Sequence, residues 1–359
     1  MIRNSLVRSV DKALAGELLN RDEMASLFAI PPLTPESGYI QGASWQISSQ
    51  VSDSLAEIHC HVGINLGLCA HNCKWCSFAA LNGVFPKTSA LSLKEIVKRC
   101  VRFEKEEANA IYLVTTGMFP FKRLTETVRT VRNHLKPDTI LIANADDFTV
   151  DEAFNLKEAG LNGVYHAVRI REGIESSIPV EKRLATMNAA HEAGLTLGTC
   201  VEPVGPEHTI TELVDATVFA RKCGAVFSGS MRRIPVPGTE LGERGMINEA
   251  RFAHILAVIR LSTPHDMPGM CWHEPSTVGP LAGANIMWTE TGSSPRDIHE
   301  DCESTRGYSV AKIRRMYWEA GWEVLKGPSR IWNSRPNLLE PVAERLSDRS
   351  KTVAYSSKY

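Results

Sequence analysis

The sequence lacks any apolar run of 18 residues, which excludes a helix that spans a bilayer. It lacks an excess of either charge: 40 Lys+Arg stand against 41 Asp+Glu. Neither nucleic acid nor an anionic membrane surface is therefore expected as a main partner. Aromatic residues are few, at 7%, but 43% of the 359 residues are hydrophobic, enough to bury one large α/β core or two ordinary ones. The first twenty residues alternate charged with apolar positions and lack the apolar block of a signal peptide. The expectation is a soluble, cytoplasmic protein.

What the chain does have is nine cysteines. In a long chain without a secretory signal, thiols kept reduced for metal binding fit better than disulfides. Cys69, Cys73 and Cys76 are clustered, whereas Cys60, Cys100, Cys200, Cys223, Cys271 and Cys302 are scattered.

Hydrophobic periodicity organises the rest. Residues 1–52 read as a helical segment, with helices over Leu6–Glu17, Arg21–Ala29 and Gln41–Val51. Short β-rich runs follow at Glu57–Ile64, Ile111–Thr115, Thr139–Ala143, Gly163–Arg169, Leu195–Val201, Ala225–Met231, Gly269–Trp272 and Ala284–Thr289, mostly separated by helical periods. Eight strands alternating with helices predict α/β architecture, a complete or nearly complete (β/α)8 TIM-type barrel over residues 53–327. Residues 328–359, rich in Arg, Ser and Pro, read as a C-terminal tail that is mobile over Arg345–Tyr359.

The loop Cys69-Ala-His-Asn-Cys73-Lys-Trp75-Cys76 directly follows the first strand, on the face where this barrel type does its chemistry. Three thiolates at C-x3-C-x2-C spacing can serve one compact centre, either zinc or an iron–sulfur cluster. A closed zinc site needs a fourth ligand, for which His71 and Cys60 are candidates. A cubane on three thiolates would leave one iron open to a ligand. Cys60, Cys100 and Cys223 read as core or helix cysteines, and His59 and His61 as core or hydrogen-bonded histidines.

This spacing, with an aromatic residue before the last cysteine and a strand before the loop, resembles the radical S-adenosylmethionine enzymes. The resemblance covers roughly residues 25–327. Ile234 to Leu241 (Ile-Pro-Val-Pro-Gly-Thr-Glu-Leu) and Gly283 to Trp288 are similar to biotin synthase and to its relatives, the hydrogenase maturase of the same subfamily and methylornithine synthase. It implies that Cys69, Cys73 and Cys76 hold a 4Fe–4S cluster whose open iron chelates S-adenosyl-L-methionine, and that a 5′-deoxyadenosyl radical then abstracts hydrogen. By the same resemblance Trp75 lies beside the adenine, and Thr115, Thr116 and Gly117 lie against the methionine amino group. Asn144 ends the third strand. Arg169, Arg171 and Glu172 follow the fourth, where relatives bind the methionine carboxylate, a role suited to the arginine fork. Glu202 and Gly205 belong to the fifth-strand segment beside the adenine.

The set that holds a second cluster in biotin synthase is not reproduced: the second strand reads Val114-Thr115-Thr116 and the third Ala143-Asn144-Ala145. Cys200, Cys271 and Cys302 are instead candidates for a different auxiliary iron–sulfur cluster, with His273 sharing a face with Cys271. Arg232 and Arg233 could meet a substrate carboxylate or a carrier protein, or form a solvated pair. The leading expectation is sulfur insertion of the lipoyl-synthase kind into an octanoyl chain on a lipoyl carrier protein. The alternative is a single-cluster reaction on a small-molecule substrate, as in the maturase and methylornithine synthase relatives. Either would need an electron donor such as flavodoxin or ferredoxin. From another class comes a zinc-stabilised, non-catalytic binding protein.

Overall fold

The computed structural model describes residues 2–334, so the segment expected to be mobile, 345–359, lies outside the described residues. Three helices come first: α1 (Asn4–Leu14), α2 (Arg21–Phe28) and α3 (Pro35–Val51). Asn20 starts α2 through a capping box with Glu23, and Thr34 caps α3 with proline in its first turn. α3 begins before the segment that periodicity indicated, because its added residues are largely polar yet bury Ser37 and Ile40. The Ser37 hydroxyl meets His254 Nδ1 at 2.9 Å, and Ser44 donates to the Ala282 carbonyl at 2.7 Å.

Nine parallel strands follow: β1 (Leu55–Gly63), β2 (Ala110–Val114), β3 (Ile140–Asn144), β4 (Gly163–Tyr165), β5 (Thr196–Gly198), β6 (Val201–Val204), β7 (Phe227–Arg232), β8 (Gly269–Trp272) and β9 (Ile286–Gly292). They pair in the order β5-β4-β3-β2-β1-β9-β8-β7-β6. The two ends of that path, β5 and β6, are consecutive in the chain. The Val226 amide donates to Leu197 O at 2.8 Å and the Thr199 amide to Phe227 O at 3.3 Å, so β5 also meets the start of β7. β5 and β6 act as one bent fifth strand, and the sheet curls into the expected (β/α)8-type barrel.

Helices α4 (Leu93–Lys105), α5 (Phe121–Arg132), α6 (Val150–Glu158), α7 (Val180–Glu192), α8 (Ile210–Lys222) and α9 (Glu249–Ser262) cover the strands, and α10 (Val310–Glu319) follows β9. Ser92, Thr149, Thr209, Asn248 and Ser309 cap five of them. Between β8 and β9 stands only the short turn Val278–Leu281, and α3 packs along both that turn and α9. The N-terminal helices thus take the place of the missing barrel helix. Among the described residues no helix is long and apolar enough to cross a membrane.

The floor of the barrel corrects one boundary. Residues 328–334, assigned to the tail, fold back under the strands. Trp332 is 2% exposed, packs edge-on against Tyr112 and Phe227, and donates its indole N–H to the Tyr112 hydroxyl at 2.7 Å. Glu57 Oε1 accepts the amides of Arg330 (2.8 Å) and Ile331 (3.1 Å), while Glu57 Oε2 accepts the Ser329 hydroxyl. His59 joins the same network, between Glu57 Oε2 (2.9 Å) and the Tyr112 hydroxyl (2.8 Å), as a hydrogen-bonded core histidine.

Candidate active site

The chain leaves β1 and returns through an antiparallel pair, Asn65–Leu66 with Ser89–Ala90. Within this excursion backbone bonds shape the cysteine loop. Cys69 N–H donates to Phe78 O (2.8 Å), Ala80 N–H to Cys69 O (3.0 Å) and Cys76 N–H to Cys73 O (2.9 Å). The amide of Lys74 reaches Glu175 O at 2.8 Å, and the Ser177 hydroxyl reaches His71 O at 2.8 Å, tying the loop to the segment after β4. The thiols are therefore positioned by the fold itself.

Burial pushes the Cys73 thiol up to about 11 and the Cys76 thiol up to about 12. Such thiols ionise readily only where a metal centre compensates the charge. Neither expected fourth ligand reaches them. His71 Nε2 is bound to Asp146 Oδ1 at 2.7 Å, and Cys60 faces α4 among Cys100, Arg102 and Glu106. Among the described residues, the triads whose ligand atoms lie within 4.8 Å of one another are His61–His273–Glu290 and Glu175–Glu207–His208, not the cysteines. A tetrahedral zinc would need its sulfurs about 3.8 Å apart. Three spread thiols without a fourth partner fit a larger cluster with one open position.

From the cysteine loop a cavity runs into the barrel. Trp75, Thr115, Thr116, Gly117, Asn144, Arg169 and Glu202 all line it. Asn65 pins the end of β2 by exchanging hydrogen bonds with the Thr116 hydroxyl (2.8 Å) and amide (3.0 Å). A Cβ at Gly117 would lie 2.2 Å from the His71 ring, so only glycine lets His71 cross this turn to Asp146. Arg169 sits between Glu202 (3.3 Å) and Glu172 (3.7 Å), and Tyr165 donates to the second oxygen of Glu202 at 2.6 Å.

Arg171, Glu172 and Gly205 do not line the cavity. Arg171 adopts φ 59°, which turns its side chain away to Glu212 (2.6 Å) and Glu175 (3.2 Å). Glu172 is buried behind Arg169 and also faces Arg183 at 3.5 Å. The Gly205 amide donates to His208 Nδ1 at 2.9 Å, and a Cβ there would meet the Arg233 guanidinium at 2.4 Å. Arg233 itself is neither solvated nor in the cavity: it is buried and bound by Glu207. Burial alone would raise the Glu207 carboxyl, but the Arg233 hydrogen bonds override it and hold it at about 2. A carboxyl lowered in the folded state stabilises above its ordinary value and loses that contribution as pH falls. Thermal melts from pH 5 to pH 2 should therefore decline less steeply in Glu207→Gln than in the wild type; parallel curves would refute this.

The deep wall is what sequence reading missed. Trp288 and Glu290 point inward from β9 at the two-residue spacing, His61 lies in register with Glu290 on β1, and His273 follows β8. Sequence reading gave His61 as a core or hydrogen-bonded histidine; it faces Glu290 at 3.5 Å and also borders the cavity. The available signal was the alternation Glu57, His59, His61 along an inward face. Arg296 meets Glu290, Glu274 (2.6 Å) and His273 Nδ1 (3.1 Å).

Residues 66–220 match the model of the radical SAM superfamily. This stretch is a radical SAM domain by that match, and the curated relatives that the chain resembles are biotin synthases. It is 26% identical over 265 residues to a biotin synthase of Kocuria rhizophila, covering 71% of this chain but only 55% of that protein. With a biotin synthase of Acaryochloris marina it is 24% identical over 303 residues, covering 77% and 84% of the two chains. Among solved structures, the FeFe-hydrogenase maturase HydG from Carboxydothermus hydrogenoformans superposes with TM-score 0.75 at 16% identity, over 96% of this chain and 86% of that one. Methylornithine synthase (PylB) superposes with TM-score 0.73 at 14% identity, over 90% and 98%. At such identities the structures establish the shared fold.

A radical SAM domain implies a 4Fe–4S cluster and S-adenosylmethionine, and the cysteine loop described above suits that demand. The candidate auxiliary set is only partly assembled in this radical SAM domain. Cys200 and Cys271 meet, sulfur to sulfur, at 2.7 Å, over Gly229 of the strand between them. A Cβ at Gly229 would lie 2.7 Å from the Cys271 sulfur, so the missing side chain makes room for the pair. Cys302 does not join them: it sits on the turn Cys302–Ser304, surrounded by Glu290, Asp301, Arg296 and Asp297.

Proposed function

We propose that this chain is an enzyme that holds a 4Fe–4S cluster through Cys69, Cys73 and Cys76 and acts on a small molecule bound inside the barrel. The carrying observation is one cavity that joins the three loop cysteines to a deep wall of polar side chains. When bound, the cluster and S-adenosylmethionine supply a 5′-deoxyadenosyl radical that takes hydrogen from an unactivated carbon. The remaining work belongs to the chain. Arg169 suits the methionine carboxylate through its planar fork, and Glu202 and Glu172 keep that guanidinium oriented. Trp75, Thr115, Thr116, Gly117 and Asn144 line the cofactor end of the cavity. Tyr112, Trp288 and Trp332 close the floor and keep water from the reacting carbon. A flavodoxin or ferredoxin would deliver the electron.

The Cys200–Cys271 contact favours a second reading, sulfur insertion of the lipoyl-synthase kind into an octanoyl carrier protein with an auxiliary cluster as donor. Iron and acid-labile sulfide per chain, measured after anaerobic reconstitution, separate the two. About four irons in the wild type and none in a Cys69/Cys73/Cys76 triple-alanine variant are expected. Roughly eight irons, with about four surviving in the variant, would move the assignment to sulfur insertion and to octanoyl-peptide assays. Colourless protein with zinc and no iron would sink both.

A further inference from the structure

The wall formed by His61, His273, Trp288 and Glu290 has no role in holding the cofactor, yet its polar atoms are set with care. Arg296 can only donate, and its Nη1 lies 3.1 Å from His273 Nδ1. The proton of this neutral imidazole is therefore on Nε2. The Glu290 carboxylate can only accept, and its Oε1 lies 3.5 Å from His61 Nδ1. A proton on His61 Nδ1 suits the carboxylate it faces and leaves a lone pair on Nε2. Among the described residues neither Nε2 has a protein partner, and both rings line the cavity. Burial lowers both imidazoles and keeps them neutral. Beside them, the Trp288 indole N–H and Glu290 Oε2 are buried without a hydrogen-bond partner. The wall therefore carries two donors (His273 Nε2–H and Trp288 Nε1–H) and two acceptors (His61 Nε2 and Glu290 Oε2).

Its charges are already matched. Glu290 and Glu274 are bound by Arg296, and Glu274 also by Arg306. A charged group entering here would be desolvated without a counter-charge, which is costly. A neutral group with both an N–H and a carbonyl would satisfy the orphaned atoms instead. The wall is also flat, with the His273 ring stacked on Trp288 at 4.9 Å and 27°.

We infer that this wall is the subsite for the head group of the substrate, and that the head group is a neutral amide. Its N–H faces His61 Nε2 and Glu290 Oε2, and its carbonyl faces His273 and Trp288. The inference rests on the placing of substrate in the barrel proposed above. The same residues do not make a metal triad, although their ligand atoms lie within 4.8 Å: Arg296 already occupies His273 Nδ1, the nitrogen that faces Glu290 at 3.7 Å, and also binds that carboxylate.

The test uses anaerobically reconstituted protein and three probes of one shape: benzamide, benzoate and benzamidine, titrated by saturation-transfer NMR. Benzamide should bind about tenfold more tightly than either charged probe. Trp288→Phe, which keeps an aromatic ring and removes the donor, should weaken benzamide about five- to tenfold. Glu290→Gln should weaken benzamide and strengthen benzoate, because Arg296 then lacks a counter-charge; a merely structural role would weaken all probes alike. The inference is overturned if no benzamide binds, if a charged probe binds as well as benzamide, or if both variants lower all three equally. Binding of one cobalt(II) per chain that is lost in His61→Ala would overturn it in favour of a metal site. Iron content and 5′-deoxyadenosine formation, measured on the same wild-type preparation, report separately on the radical reading.

Discussion

Alanine at Cys76 is expected to lower bound iron from about four per chain to near zero and to reduce 5′-deoxyadenosine formation at least about a thousandfold. The size of the effect follows from the ligand count. Three thiols serve the site, and neither His71 nor Cys60 stands ready to replace a lost one. Loss of fold would not explain such a result, because the loop is held by backbone bonds that alanine keeps, among them Cys76 N–H to Cys73 O. Cys100→Ala supplies the control. It removes a thiol buried in α4, so it should cost about 1 kcal/mol of stability while leaving iron unchanged. Retention of iron in Cys76→Ala would rule out the proposed ligand set.

Trp332→Ala should destabilise the protein by about 3–5 kcal/mol, the range for an aromatic side chain removed from a packed interior. For a chain of this size that corresponds to a melting point lower by roughly 4–7 °C. The indole fills the floor between Tyr112 and Phe227, and its removal also strands the Tyr112 hydroxyl on that side. Trp332→Phe keeps an aromatic ring and loses one hydrogen bond, so it should cost about 1–2 kcal/mol. A melting point unchanged in the alanine variant would mean that residues 328–334 do not seal the barrel.

The eight-strand barrel was legible because each strand alternates with a helix, and helix starts such as Thr149 and Thr209 carry their own capping signals. The cysteine loop was legible from spacing alone. The floor was not: Ser329-Arg-Ile-Trp332 is too short for a period and sits among residues whose composition resembles a tail. Arg171 and Gly205 were misplaced because a loop residue's direction depends on backbone angles, such as φ 59° at Arg171, that no spacing records. The deep wall was hidden for a different reason. An inward histidine that packs, like His59, and one that borders a cavity, like His61, occupy the same repeat of the same strand.

The sealed floor has a kinetic consequence. With Trp332 and Tyr112 buried in the lower barrel, the described lining of the cavity runs from the cysteine loop to the deep wall. On the proposed reading, substrate and S-adenosylmethionine share that path, with the cofactor nearer the outside. On that reading substrate would arrive first and product leave last, a compulsory order of binding set before any chemistry begins.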